Sequence, residues 1–173
     1  VSTVLFMIPL SLALAICIRV GNLTGQKNYA AVKNTVSTSL LLALMISTLV
    51  ALITFLSRSV IGSVYSDNSE VIALASAILI LACFYQLPDA LQVAATGILR
   101  GLKYTAPISY ITFISYWLIG FSLGYVLALT DLIVEPMGPE GFWLGIIVRL
   151  STAAVLLIYT VRKRLANAPF NNA

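Results

Sequence analysis

Ala82-Cys83-Phe84-Tyr85-Gln86-Leu87-Pro88-Asp89-Ala90-Leu91-Gln92 sets a proline and a carboxylate deep inside a long apolar run. Residues 71–88 carry no charge; Asp89 follows, and the next charge is Arg100. About 20 apolar residues at 1.5 Å per residue cross a hydrocarbon layer about 30 Å thick, so the run reads as a membrane-spanning helix and Asp89 as an intramembrane acid. Counted back from Arg100, the carboxylate lies roughly 16 Å from the basic end, near the bilayer midplane. An ionised carboxylate there costs on the order of 2.5–3.5 kcal/mol on insertion scales, so it must face protein or water and have a partner or a task.

The composition points the same way. Hydrophobic residues make up 60% and charged residues 9%, with a mean hydropathy of +1.02, values that mark an integral membrane protein. The net charge of +4 comes from basic residues in short loops beside apolar segments, where membrane topology explains them better than nucleic-acid binding does. The chain has no histidine, which excludes histidine proton relays and histidine metal sites. Cys17 and Cys83 lie inside apolar runs and read as small buried hydrophobes, not as a disulfide or a metal pair. No nucleophile–base pairing, metal motif or phosphate loop is present, so no enzyme class fits and no cofactor is implied.

Five spans follow along the chain, at about 1–18, 35–57, 71–99, 106–130 and 142–161. The first is interrupted by Pro9 and has no basic region before it, unlike a signal peptide, so the chain reads as part of a longer polypeptide. Arg19 closes this span, and Gly21 and Gly25 are expected to end the helix and turn the chain. Residues 30–33 start a short interfacial helix before the second span, whose Ser39, Ser47, Thr48 and Thr54 can bond to backbone carbonyls or neighbouring helices. Ser69 is placed to cap the third span, with Glu70 in its first turn. Pro107 sits in the first turn of the fourth, where its lost donor costs nothing. Gly120 and Gly124 give that span a small-xxx-small spacing for close helix approach. Pro136-Met137-Gly138-Pro139 marks a loop, and Trp143 and Tyr159 stand where interfacial aromatic belts belong. The helical part is 1–164 and the polar tail 165–173.

Loop charge sets the expected orientation. Arg19, Lys27 and Lys33, then Arg100 and Lys103, then Arg162, Lys163 and Arg164 fall on one side. The other side holds Arg58 alone among basic residues, against Asp67, Glu70, Asp131, Glu135 and Glu140. The positive-inside bias then puts the first set and the C-terminus in the cytoplasm. Arg149 breaks the pattern, seven residues into the last span. It reads either as a counter-ion for an acid or a substrate group, or as a residue snorkelling into a water-filled space.

Tyr85, Asp89, Gln92 and Thr96 recur at i, i+4, i+7 and i+11, placing a phenol, a carboxylate, an amide and a hydroxyl on one helix face. Pro88 has no N–H, so the carbonyl of Phe84 loses its helical donor and the helix is expected to kink. A freed carbonyl beside a carboxylate and a phenol offers hard oxygen ligands to sodium; the same poorly solvated Asp89 could instead carry a proton. Either makes it a coupling-ion site. A polar clasp between helices is the other use of such a stripe.

Tyr85-Gln86-Leu87-Pro88-Asp89-Ala90-Leu91-Gln92-Val93, followed by Gly97-Ile98-Leu99-Arg100-Gly101-Leu102-Lys103, resembles the tenth transmembrane helix and following loop of multidrug and toxic compound extrusion (MATE) transporters of the NorM type. Arg19-Val20-Gly21 with Gly25 is similar to the loop after that family's eighth helix. Glu135-Pro136-Met137-Gly138-Pro139 with Gly141-Phe142-Trp143 is similar to the junction into its twelfth. The resemblance covers nearly the whole chain in order, and implies an all-α polytopic membrane protein whose five transmembrane helices are helices eight to twelve of a twelve-helix, two-lobe transporter. Its partners would then include the lipid bilayer, the N-terminal lobe and first C-lobe helix of the same polypeptide, and cationic, often aromatic drugs.

The resemblance further implies an antiporter in a bacterial cell inner membrane, driven by Na+ or H+ and working by alternating access. Tyr85 and Asp89 match the family's tenth-helix cation ligands at the same spacing. Gln92, Thr96 and Arg149 are candidate cavity or substrate contacts, and no metal beyond Na+ is expected. Two positions depart from the family pattern: Tyr104 stands where an acid is common, and Arg149 where the twelfth helix usually has a small residue. Two other functions compete with this one. A lipid-linked precursor flippase of related architecture would need basic cavity residues, which only Arg149 could supply. A non-transporting membrane subunit would use Gly120 and Gly124 for assembly.

Overall fold

A backbone in lipid must satisfy its own polar groups, and apolar segments of this length do so as helices. The computed structural model describes the backbone of residues 2–57, 69–122, 125–126 and 139–167, and the side chains of 7–57, 78–122, 125–126 and 143–167. Every described element is helical: α1 is Ser2–Gly25, α2 Tyr29–Leu56, α3 Ser69–Gly101, α4 Ala106–Phe113, and α5 Pro139–Ala166. A π-helix, Ile114–Phe121, continues α4. Four of the helices contain stretches long and apolar enough to cross a membrane, Met7–Gly25, Tyr29–Leu56, Ile78–Gly101 and Trp143–Ala166; the apolar segment Ala106–Phe121 is shorter in its described part. The all-α polytopic class expected from composition is therefore the class observed. The connector charges Arg58, Asp67, Asp131 and Glu135, together with Gly124, lie outside the described residues.

Helix ends differ from the sequence reading, and the reason is local. α1 does not stop at Arg19 or Gly21 but runs to Gly25. Its terminus is closed by Lys27, in the left-handed region at φ 56°, with Lys27 N donating to Thr24 O at 3.1 Å and Asn28 N to Leu23 O at 3.1 Å. This is the Schellman pattern, usually made with glycine. α3 ends in the same way: Lys103 has φ 55°, Lys103 N donates to Arg100 O at 3.0 Å and Tyr104 N to Leu99 O at 2.9 Å. A cation just past a helix C-terminus sits against the negative end of the helix dipole, which offsets part of the left-handed cost.

The separate interfacial helix expected at 30–33 is instead the first turn of α2, capped by the Asn28 side chain, which accepts from Ala31 N at 3.1 Å. Ser69 is the first residue of α3, and Asn68 lies outside the described residues. Pro107 stands in the first turn of α4, as its missing donor allows. At the far end α5 passes residue 164, so Leu165, assigned to the tail, is helical and packs against the core.

α3 is the central helix, packed against α1, α2 and α5, while α4 and its π continuation pack on α5. α1 and α3 run parallel: a Cβ at Gly97 would stand 2.5 Å from Ala13 O, and one at Gly101 2.8 Å from Cys17 O. Only glycine lets the two backbones approach so closely, the small-xxx-small device of membrane helices. The core gathers toward this end, from Ile16, Val20, Val32, Val36, Ile98, Leu99, Leu157 and Val161. Outward-facing Leu41, Met45, Leu49, Leu52 and Leu56 leave α2 a broad apolar face, as expected where lipid is the solvent. Neither Cys17 nor Cys83 is in a disulfide, and Cys83 Sγ donates to Ala51 O at 3.4 Å.

Candidate functional site

α3 runs through Pro88 as one element, and above the glycine contacts its polar stripe meets open space. Tyr85 and Asp89 line a crevice of about 20 Å³ among α1, α2 and α3, together with Pro9, Ser47 and Ala90. That volume admits about one water-sized particle. Asp89 also borders a second cavity, about 300 Å³, between α1, α3 and the α4 segment, with Gln92, Thr96 and Tyr116 on its wall. This is the lower end of the size range of ligand pockets. Of the four stripe residues only Asp89 borders both spaces: Tyr85 lines the crevice, Gln92 and Thr96 the cavity. Among the described residues the carboxylate has no hydrogen-bond or ion-pair partner.

Each neighbour is positioned by a specific contact. Tyr85 stacks obliquely on Trp143, with ring centroids 5.7 Å apart, so Trp143 packs against the site, where the sequence pointed to an interfacial belt. Gln92 is buried; its Nε2 donates to the Tyr116 hydroxyl at 2.8 Å, and that hydroxyl lies 3.2 Å from Oε1, to which it can donate in turn. Thr96 Oγ1 donates to Gln92 O at 2.9 Å, which ties it to its own helix. Gln86 lines the same crevice as Tyr85 and Asp89; its Nε2 reaches Thr54 Oγ1 at 3.5 Å, and its Oε1 is buried without a partner.

Arg149 turns inward. Its guanidinium lies 4.4 Å from the Tyr116 ring centroid, a cation–π arrangement, while its Nε is buried with no hydrogen-bond partner. Gly120 makes room for it: a Cβ there would stand 2.6 Å from Arg149 Cβ. So Gly120, read from the sequence as a site of helix approach, here accommodates an arginine side chain. The wider winding of the π segment carries Tyr116 toward Gln92, and π-helices often mark functional sites. In the same segment the Ser115 hydroxyl is buried without a partner. Phe113, Trp117 and Phe121 form a ladder, with centroids 6.5 and 6.3 Å apart.

Sequence reasoning found the stripe but missed Tyr116, Trp143 and the Gly97/Gly101 contact. The last was visible as small residues four apart. Nothing in the sequence pattern announces the π segment that brings Tyr116 to Gln92. Among the described residues no group of three His, Cys, Asp or Glu could hold a metal. Asp89 and Tyr85 supply oxygen donors, which suit a hard cation or a proton and not a soft metal.

Residues 1–126 match the family model described as MatE. The chain is similar to the crystal structure of the eukaryotic MATE transporter AtDTX14, at TM-score 0.85 and 30% identity, covering 93% of this chain and 35% of that one. It is also similar to an inward-facing multidrug resistance MATE family transporter of the MOP superfamily, at TM-score 0.79 and 16% identity, covering 95% of this chain and 38% of that one. The likeness to the second is one of fold. The chain spans little more than a third of either.

Proposed function

Because this chain belongs to the MatE family, a family of membrane transporters and not of enzymes, we propose that it is the greater part of the C-terminal lobe, helices eight to twelve, of a NorM-type cation-coupled multidrug antiporter. Asp89 is the exchange carboxylate and Tyr85 a second oxygen ligand for the coupling cation. The observation that carries the reading is the position of Asp89 on both the 20 Å³ crevice and the 300 Å³ cavity. The first has the size of a single small ion, the second that of a small aromatic cation. An acid open to both can be held by either, so each ligand displaces the other, as antiport requires. Gln92 fixes the Tyr116 side of the cavity wall, and the Tyr85–Trp143 pair offers aromatic surface beside the carboxylate. Thr96 and Arg149 are cavity contacts in this reading.

The chain's other lobe and seventh helix complete the pathway, and the C-terminus faces the cytoplasm of a bacterial inner membrane. The test is efflux by the full-length polypeptide in proteoliposomes, wild type and Asp89→Asn, under separately imposed sodium and proton gradients. Loss of efflux in Asp89→Asn, with wild type answering to one gradient, supports the assignment and names the ion. A variant that pumps as well as wild type reduces Asp89 to a helix clasp.

A further inference from the structure

We propose that Arg149 is an internal counter-cation of Asp89, competing for that carboxylate with the coupling ion and with cationic substrate. The inference rests on the exchange role proposed for Asp89 and adds the residue that sets how tightly the site holds its ligands.

The argument begins with an unbalanced charge. A guanidinium stays protonated at any physiological pH, and inside a membrane it must find compensation. Among the described residues Arg149 has the face of Tyr116 at 4.4 Å and no acceptor for its buried Nε. A ring face replaces only part of the hydration such a charge loses. The strongest compensation in reach is a carboxylate. Asp89 faces the same 300 Å³ cavity as Tyr116, on whose ring Arg149 rests, and it too lacks a partner among the described residues. No ion pair joins the two; Tyr116, under the guanidinium, bonds to Gln92, which lies three residues beyond Asp89 on α3.

Two positions for one side chain follow. One is the arrangement described, with the guanidinium on Tyr116, which a cation on Asp89 would favour. With Asp89 vacated, the end of the same long side chain turns toward the carboxylate, while its stem stays packed against the bare side of Gly120. An arriving cation therefore meets a site whose charge is already balanced and must displace a tethered cation, which weakens and speeds its exchange. Arg100 also borders the 300 Å³ cavity but is exposed at its basic end, so its charge is screened by water.

The test uses the full-length polypeptide in proteoliposomes, with sodium ions and with the aromatic cation tetraphenylphosphonium as probes. Arg149→Met is expected to lower the half-saturating concentration of both probes by about tenfold, the effect of removing one unit charge several ångströms away at intermediate dielectric. Arg149→Lys keeps the charge and should stay within about twofold of wild type. Asp89→Asn should lose binding of both probes, and Arg149→Met added to it should restore nothing. If Arg149→Met does not fold, as judged by its melting temperature, Arg149→Gln gives the same reading. Unchanged or weaker affinity in the neutral variant overturns the proposal while leaving the role of Asp89 intact. Tightening that persists in the Asp89→Asn background also overturns it, since Arg149 would then act on the probe directly. Wild-type binding by Asp89→Asn overturns both this and the function proposed above.

Discussion

α3 meets α1 in two ways along its length. At Gly97 and Gly101 the backbones touch, with Ala13 O and Cys17 O where a side chain would have to be. Beside that seam, from Asp89 to Arg100, the same helix borders a 300 Å³ cavity, whose wall takes in Gln92, Thr96 and Tyr116 and reaches Ala13, Cys17 and Gly97. One helix thus carries a closed backbone contact and, alongside it, an open space with the carboxylate at its far end. The difference is one of side-chain size and chemistry at helical spacing. Glycine permits backbone contact, while a carboxylate and an amide hold neighbours away unless those neighbours are polar.

The largest effect that would break this comparison lies in the seam. Gly97→Leu forces a side chain into the Ala13 carbonyl, and backbone cannot yield as a flexible side chain does. We expect destabilisation of at least about 1–3 kcal/mol, seen as a lower melting temperature and yield of the full-length protein. A melting temperature equal to wild type would show that the seam is not closed.

On the open side, Gln92→Leu leaves the Tyr116 hydroxyl without its buried partner, a loss of about 1–3 kcal/mol, and releases the ring on which Arg149 rests. Stability should fall by less than in Gly97→Leu, while drug affinity changes as well; an effect on stability alone would make Gln92 a structural residue. Tyr116→Phe sharpens the point, because it keeps the ring under Arg149 and removes only the hydroxyl. Because it orphans the buried Gln92 amide, it should cost a comparable amount, about 1–3 kcal/mol, with little change in transport, as measured by melting temperature and efflux together. Smallest of all, Lys103→Gly relieves a left-handed lysine at the end of α3. It should raise stability by at most about 1 kcal/mol, since the lost cation had favoured the helix terminus.

Much of this was legible in the sequence. Uninterrupted apolar length announced the helices, and the i, i+4, i+7, i+11 recurrence from Tyr85 to Thr96 announced the polar face, because both follow from helix geometry alone. Helix ends were less legible. Arg19 and Lys33 sit inside helices that extend beyond the apolar windows, and the turns use Lys27 and Lys103 where glycine was expected. Charge marks where lipid ends, not where hydrogen bonding ends. The direction of Arg149 was open between two readings, since it depends on a partner, Gly120, on another helix, and on a π segment that shifts Tyr116 into place. Such long-range facts leave no periodic trace. Gly97 and Gly101 did leave one, four residues apart, but the carbonyls they face belong to α1.

The central claim is that one carboxylate serves both the ion and the drug. It is tested most directly by binding tetraphenylphosphonium to the purified full-length protein while titrating sodium, and separately protons, in wild type and Asp89→Asn. The account predicts that one of the two ions displaces the probe competitively from wild type, and that Asp89→Asn binds the probe weakly and without response to either. Probe and ion bound together without competition, or undiminished competition in Asp89→Asn, would contradict it.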